Sequence, residues 1–132
     1  AAITAHLMDL PMGYVRSGSK DHGRQNQIEG KMDPGTKVVV VEDLISTGGS
    51  VLEVVNVLRE ADAEVLGIAS IFTYGMLKGV ERLAEANVKN VSLSNLDVLV
   101  EVAAKEGYIA EEDVERLLKF RDNPSDESWM QK

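Results

Sequence analysis

The segment from Val38 to Ser50, which reads VVVVEDLISTGGS, contains the residues best suited to chemistry. Its two glycines, Gly48 and Gly49, allow backbone N–H groups to approach a ligand closely, and the hydroxyls beside them can donate further hydrogen bonds. A helix that begins after such a loop adds unpaired N–H groups and a partial positive charge. The segment therefore predicts a cup for a phosphate group.

Two adjacent acids, Glu42 and Asp43, stand directly before this loop. The valine run ahead of them predicts a parallel strand buried on both faces, and ligands of open parallel sheets bind beyond the C-terminal ends of the strands. Carboxylates at that position suit sugar hydroxyls or a cation. Taken singly, each feature is better explained as an acidic strand end or a common turn, and only the combined pattern favours a ligand site.

Two common phosphate-binding motifs are excluded. The nucleoside triphosphate loop needs a Gly-Lys-Ser/Thr step, and no lysine occurs between Lys37 and Lys78. The dinucleotide fingerprint needs the order Gly-x-Gly-x-x-Gly, which Gly48-Gly49 does not provide. ATP hydrolysis and NAD binding are therefore disfavoured.

A second segment, Arg16 to Arg24, concentrates cationic residues in an acidic chain. Its glycines permit movement, and a cation delivered by a closing loop stabilises the negative charge that builds on a leaving group. Lys20 and His22 are the best candidates for this role. The alternative is a solvated surface loop whose charges are incidental.

Composition limits the kind of protein this can be. The length of 132 residues predicts one domain, with a core over 1–121 and a polar tail over 122–132. The chain has no cysteine and two histidines, which excludes thiolate metal sites and histidine clusters. A net charge of -8 argues against a nucleic-acid surface. No apolar stretch approaches the roughly 20 residues of a membrane span, so we expect a cytoplasmic protein with no membrane partner.

Strand-like and helix-like segments alternate along the chain, which predicts an α/β fold. Ser50 and Glu53 match a capping box at the start of the helix after the glycine loop, and the polar stretch 17–26 is expected to form a loop. We expect helices at 1–10, 51–61, 79–86, 97–105 and 111–120, and strands at 12–16, 37–41, 64–72 and 90–93.

Strand, acid pair and hydroxyl-glycine loop together resemble the phosphoribosyl diphosphate signature of the type I phosphoribosyltransferases. The resemblance implies that Glu42 and Asp43 contact the ribose hydroxyls, that the loop from Ser46 to Ser50 holds the 5-phosphate, and that Mg²⁺ accompanies the diphosphate. Asp43 would also assist the base or stabilise the sugar cation. No protein side chain is assigned as a metal ligand. The implied substrate-binding set is Arg16, Lys20, His22, Glu42, Asp43, Leu44, Ile45, Ser46, Thr47, Gly48, Gly49 and Ser50, and its catalytic members are Lys20, His22 and Asp43.

The pattern Arg-Ser-x-x-Lys-Asp-His-Gly, which starts at Arg16, resembles the catalytic loop of the orotate phosphoribosyltransferases within that family. In those enzymes the loop of one subunit closes over the active site of its dimer partner. The resemblance thus implies a homodimer in which Arg16 contacts the ligand across the interface and Lys20 and His22 contact its diphosphate. Ser46 would touch orotate.

The fold implied by the resemblance is a three-layer α/β fold with a mainly parallel central sheet. The sequence resembles a C-terminal portion of it, without the N-terminal first core strand and the hood over the base. The expected reaction transfers ribose 5-phosphate from phosphoribosyl diphosphate to orotate, giving orotidine 5'-phosphate in pyrimidine biosynthesis. Two alternatives remain open: a transferase for a purine base, and a regulator that binds phosphoribosyl diphosphate or a nucleotide without turnover.

Overall fold

The computed structural model describes residues 1–16 and 27–126, in which helices and strands alternate as the sequence predicts. The expected α/β class is confirmed. None of the helices in these two ranges combines the length and apolar content that a membrane span requires. The elements in chain order are α1 (Ala2–Met8), β1 (Tyr14–Val15), β2 (Ile28–Glu29), β3 (Lys37–Ile45), α2 (Gly49–Glu60), β4 (Glu64–Thr73), α3 (Leu77–Glu85), β5 (Asn90–Asn95), α4 (Leu96–Lys105) and α5 (Glu111–Asp122).

The main sheet is parallel, in the order β3-β4-β5. Its register places Ile45 beside Thr73 and Thr73 beside Asn95, so the three strands end at one edge. Each strand leads into a helix, β3 and β4 through a short connection and β5 directly. Ligands of such sheets bind at the C-terminal edge of the strands. The glycine loop begins at this edge, immediately after Ile45.

A separate antiparallel pair, β1 with β2, lies at the ends of the predicted basic loop. Tyr14 pairs with Glu29, and the N–H of Arg16 donates to the carbonyl of Gln27 at 2.8 Å. The ladder therefore holds Arg16 and Gln27, the residues that flank segment 17–26, side by side. Lys20 and His22 lie outside the described residues. A two-residue strand such as β2 is too short to show a period in the sequence.

Helix α2 supplies the centre of the core through Val51 and Val55, which are fully enclosed. They pack with Val40 and Ile68 of the sheet and with Leu83 of α3. The predicted burial of the valine strand on both faces is wrong for the described residues. Val40 is 7% exposed, but Val39 is 54% exposed and Val41 37%. Successive side chains of a strand point to opposite faces, and here only one face is covered.

This one-sided burial predicts different effects for two neighbouring substitutions. Val40→Thr places a hydroxyl in the core and is expected to lower the free energy of unfolding by about 1–3 kcal/mol. Val39→Thr keeps the β-branched shape on the exposed face and should change it by less than about 0.5 kcal/mol. Urea unfolding of the two variants measures the difference. Equal losses would show that both faces of β3 are covered in solution.

Candidate functional site

The acid pair lies inside β3, because the strand continues to Ile45 and does not end at Val41 as predicted. Pairing with β4 continues past Val41: Glu42 pairs with Ser70, and Leu44 pairs with Phe72. Both acids are therefore held by regular strand geometry just before the C-terminal edge of the sheet. That edge is where the resemblance requires them.

The two carboxyl groups of the pair have opposite tendencies to ionise. Burial raises the pKa of Glu42, and a hydrogen bond with the Asp43 side chain raises it further. The same hydrogen bond lowers the pKa of Asp43, which also accepts a bond from the N–H of Leu44 at 2.7 Å. Asp43 is exposed and keeps its negative charge at neutral pH, while Glu42 is the member that holds a proton more readily.

The raised pKa of Glu42 predicts a pH-dependent effect on stability. Between its ordinary value of 4.5 and the raised value, the folded state binds more protons than the unfolded chain. The free energy of unfolding therefore falls as the pH rises through this window. Glu42→Gln should remove that loss and stabilise the protein at pH 7 by less than about 1 kcal/mol, given solvent screening, with no gain at pH 4.

Thermal unfolding at the two pH values measures this prediction. Glu53→Gln, on the exposed side of α2, is the matched control for the loss of one carboxyl group. A gain for Glu42→Gln of equal size at pH 4 and pH 7 would contradict the assignment.

The glycine loop turns at Gly48, whose φ of 74° is in the left-handed region that favours glycine. Gly48 is the N-cap of α2, and its carbonyl accepts the first helical bond from Leu52 at 3.1 Å. The predicted capping box is wrong: the turn at Gly48 starts the helix at Gly49, so Ser50 lies within the first turn, and the cap has no side-chain hydrogen bond. The N–H groups from Gly49 to Val51 precede that first bond and can donate to an anion.

Helix α3 packs directly against the back of this loop. A Cβ atom added to Gly79 would lie 2.5 Å from the carbonyl oxygen of Ser46, a distance that real Cβ atoms do not adopt. One turn later, Arg82 donates from Nη1 to the carbonyl oxygen of Thr47 at 3.2 Å. Neither residue belongs to the site predicted from the sequence. The signal that points to Gly79 is a glycine inside a helix, which costs helix stability and so suggests a packing reason.

The connection between β4 and α3 contacts the end of β3, where the glycine loop begins. The N–H of Tyr74 donates to the carbonyl of Ile45 at 2.9 Å, and Thr73 Oγ1 accepts from the N–H of Gly75 at 3.1 Å. A cavity of about 320 Å³ lies between this connection and α3. Its lining is mainly apolar and includes Ser46 but not the acid pair, so the cavity adjoins the predicted phosphate cup without containing it.

The structure keeps the predicted residues from Glu42 to Ser50 together at the sheet edge. Ile45 is buried in the core, and its role in substrate binding remains a prediction. Arg16 forms an ion pair with Glu29, with Nη2 and Oε1 3.0 Å apart, and its contact across a dimer is likewise untested. Within residues 1–16 and 27–126, acids and histidines form no group of three or more that could hold a metal ion.

Comparison with known proteins identifies the family. A family model described as the phosphoribosyl transferase domain matches residues 1–104. The chain belongs to this phosphoribosyltransferase family. The matched range includes the segment from Val38 to Ser50, whose pattern resembles the signature of this family.

Individual phosphoribosyltransferases agree with this assignment. The chain is 56% identical over 130 residues to the orotate phosphoribosyltransferase of Bacillus cereus (strain G9842), covering 98% of this chain and 62% of that protein. The crystal structure of orotate phosphoribosyltransferase from Aeropyrum pernix matches with a TM-score of 0.69 and 34% identity, covering 83% of this chain and 59% of that one.

A third relative is the orotate phosphoribosyltransferase of Mycobacterium tuberculosis in complex with 5-phospho-α-D-ribosyl 1-diphosphate. It matches with a TM-score of 0.54 and 26% identity, over 66% of this chain and 48% of that one. The solved structures confirm the predicted type of fold. The chain spans 62% of the length of the curated Bacillus relative.

Proposed function

We propose that this protein is an orotate phosphoribosyltransferase, which transfers ribose 5-phosphate from phosphoribosyl diphosphate to orotate in cytoplasmic pyrimidine biosynthesis. The observation that carries the proposal is the continuous site at the edge of the sheet: an acid pair at the end of β3, the left-handed turn at Gly48 and the start of α2. Relatives named orotate phosphoribosyltransferase, one of them bound to phosphoribosyl diphosphate, support the choice of substrates.

In this proposal the loop from Ser46 to Ser50 binds the 5-phosphate. The backbone N–H groups at the start of α2 donate to its oxygens, and the helix dipole favours its charge. Asp43, ionised and exposed, accepts hydrogen bonds from the ribose hydroxyls, and Glu42 is the second acceptor. Ser46, the first residue of this loop, also lines the cavity beside α3, and we assign it to contact orotate.

The donors at this site fit a magnesium ion that arrives with the diphosphate. Carboxylate oxygens are the ligands this hard cation prefers, and it usually keeps several waters and binds substrate phosphates. Asp43 and Glu42 are the residues that would hold it, directly or through water. When bound, Mg²⁺ neutralises part of the charge on the diphosphate.

In the reaction, the bond between C1 of the ribose and the diphosphate oxygen breaks, and its electron pair leaves with the diphosphate. A ring nitrogen of orotate releases its proton to water and forms the new bond to C1. We assign Asp43 to stabilise the positive charge on the sugar, and Lys20 and His22 to donate hydrogen bonds to the departing diphosphate. The segment from Arg16 to Arg24 of one subunit would act on the site of the other subunit in a homodimer.

Calorimetric titration with phosphoribosyl diphosphate, with and without Mg²⁺, tests the binding half of this proposal. An assay of base consumption with orotate, adenine and hypoxanthine tests the other half. We expect Mg²⁺-dependent binding and consumption of orotate alone. Consumption of a purine would favour a purine transferase, and binding without turnover of any base would favour a regulator.

A further inference from the structure

Helix α3 presents a cation to the back of the phosphate loop. Gly79 allows the helix backbone to approach Ser46, and Arg82, one turn further along the same face, reaches Thr47. The guanidinium Nη1 also lies 3.6 Å from the place where a Cβ of Gly49 would stand. Arg82 is half-buried in this position. The contact joins residues 35 positions apart, so it depends on the fold and not on the local sequence.

The hydrogen bond from Arg82 to the Thr47 carbonyl also fixes the direction in which the N–H of Gly48 points. A trans peptide points its C=O and its N–H in opposite directions, and the Thr47–Gly48 peptide is trans. When Arg82 binds the carbonyl of Thr47 on the α3 side, the N–H of Gly48 must point to the other side. Gly48 precedes the first turn of α2, so this N–H joins the donors of the predicted cup.

We propose that Arg82 is a positioning residue for the sugar 5-phosphate. It acts through the Thr47–Gly48 peptide: it orients the Gly48 N–H toward the phosphate and polarises that N–H by withdrawing charge from the carbonyl. The inference rests on the proposed function, because that function places a phosphate in the loop. It makes Arg82 a determinant of preference for ligands that carry the 5-phosphate.

Arg59 provides a matched control for a purely structural role. It also donates from its guanidinium to main-chain carbonyls far along the chain, those of Ala86 at 2.7 Å and Asn87 at 3.1 Å. These carbonyls directly follow the last residue of α3 and do not belong to the phosphate loop. Arg59→Ala and Arg82→Ala therefore remove the same kind of bond, and only the second removes it from the phosphate loop.

The test is calorimetric titration of both variants with ribose 5-phosphate and with inorganic diphosphate, which has no 5-phosphate. Arg82→Ala is expected to lower the affinity for ribose 5-phosphate about tenfold, which corresponds to the loss of one hydrogen bond to a charged group. Its affinity for diphosphate should not change, and Arg59→Ala should bind both ligands as the wild type does. Arg82→Lys, which keeps a charged donor, should restore part of the affinity.

Three outcomes separate the possibilities. If Arg82→Ala binds ribose 5-phosphate with wild-type affinity, the positioning role of Arg82 is overturned and the proposed function is not. Equal weakening of both ligands, or equal effects of the Arg59 and Arg82 variants, would overturn it in favour of general stabilisation. Failure of the wild-type chain itself to bind ribose 5-phosphate or phosphoribosyl diphosphate would overturn the proposed function as well. If Arg82→Ala does not fold, Arg82→Gln, which keeps a donor without charge, must show the same selective loss.

Discussion

Gly79→Ala is expected to weaken the binding of ribose 5-phosphate on the order of 100-fold, about the loss of two hydrogen bonds to a charged group. The new methyl group would stand 2.5 Å from the Ser46 carbonyl oxygen and 3.5 Å from the Thr47 carbonyl carbon. Both atoms belong to the main chain, so relief requires the loop or α3 to shift as a unit. Calorimetric titration with ribose 5-phosphate measures the change.

The same substitution should lower the free energy of unfolding by about 1–3 kcal/mol, the usual range for overpacking. The sign of this change in the free energy of unfolding is informative, because alanine inside a helix is otherwise more favourable than glycine by roughly 0.5–1 kcal/mol. A stabilised Gly79→Ala protein would show that α3 does not press on the loop.

Gly67→Ala is the matched control for this clash. A Cβ there would lie 2.9 Å from the carbonyl oxygen of Lys89, which is also main chain but directly precedes β5 and does not belong to the site. We expect a comparable loss of stability with unchanged affinity for ribose 5-phosphate. If both glycine variants lose affinity equally, the effect of Gly79→Ala is general destabilisation.

The local part of the site is predictable from sequence because its residues are consecutive. A valine run, two acids and a hydroxyl-glycine loop fix a strand and a turn within one stretch, and the structure keeps Glu42 to Ser50 together. The order of the longer strands and helices is predictable for the same reason, since each of them shows its own period. The bounds of the elements are less predictable, because pairing with β4 extends β3 past the acids to Ile45.

The support behind the site is not predictable in this way. Gly79 and Arg82 reach the loop only after α3 has packed against it, and nothing near Ser46 or Thr47 in the sequence indicates a partner some 35 residues later. The start of α2 was misplaced for a related reason. Ser50 and Glu53 satisfy a local capping rule, but the left-handed turn at Gly48 decides where the helix begins. Burial of the valine strand likewise depends on which elements cover each face of the sheet.

Lys20→Ala is expected to lower the turnover of orotate on the order of 10²- to 10³-fold, the usual loss when one charge-stabilising donor is removed from a transition state. Affinity for phosphoribosyl diphosphate should change much less. Negative charge on the diphosphate builds as its bond to the sugar breaks, so a cation that meets it then acts mainly on the rate. Arg16 and Gln27, which flank the segment 17–26, are joined beside the β1–β2 ladder by the hydrogen bond from the N–H of Arg16.

Lys31→Ala is the control for this prediction, because Lys31 is a strongly exposed lysine whose ammonium lies 3.7 Å from Asp33, outside the basic segment. Steady-state kinetics with orotate and phosphoribosyl diphosphate separate the two effects. A rise in KM with unchanged kcat would mean that Lys20 binds substrate and transition state equally. Unchanged kcat and KM would remove Lys20 from the mechanism. The acid pair and the Gly48 turn would then still account for binding, and the cation that meets the leaving diphosphate would have to come from elsewhere in the protein.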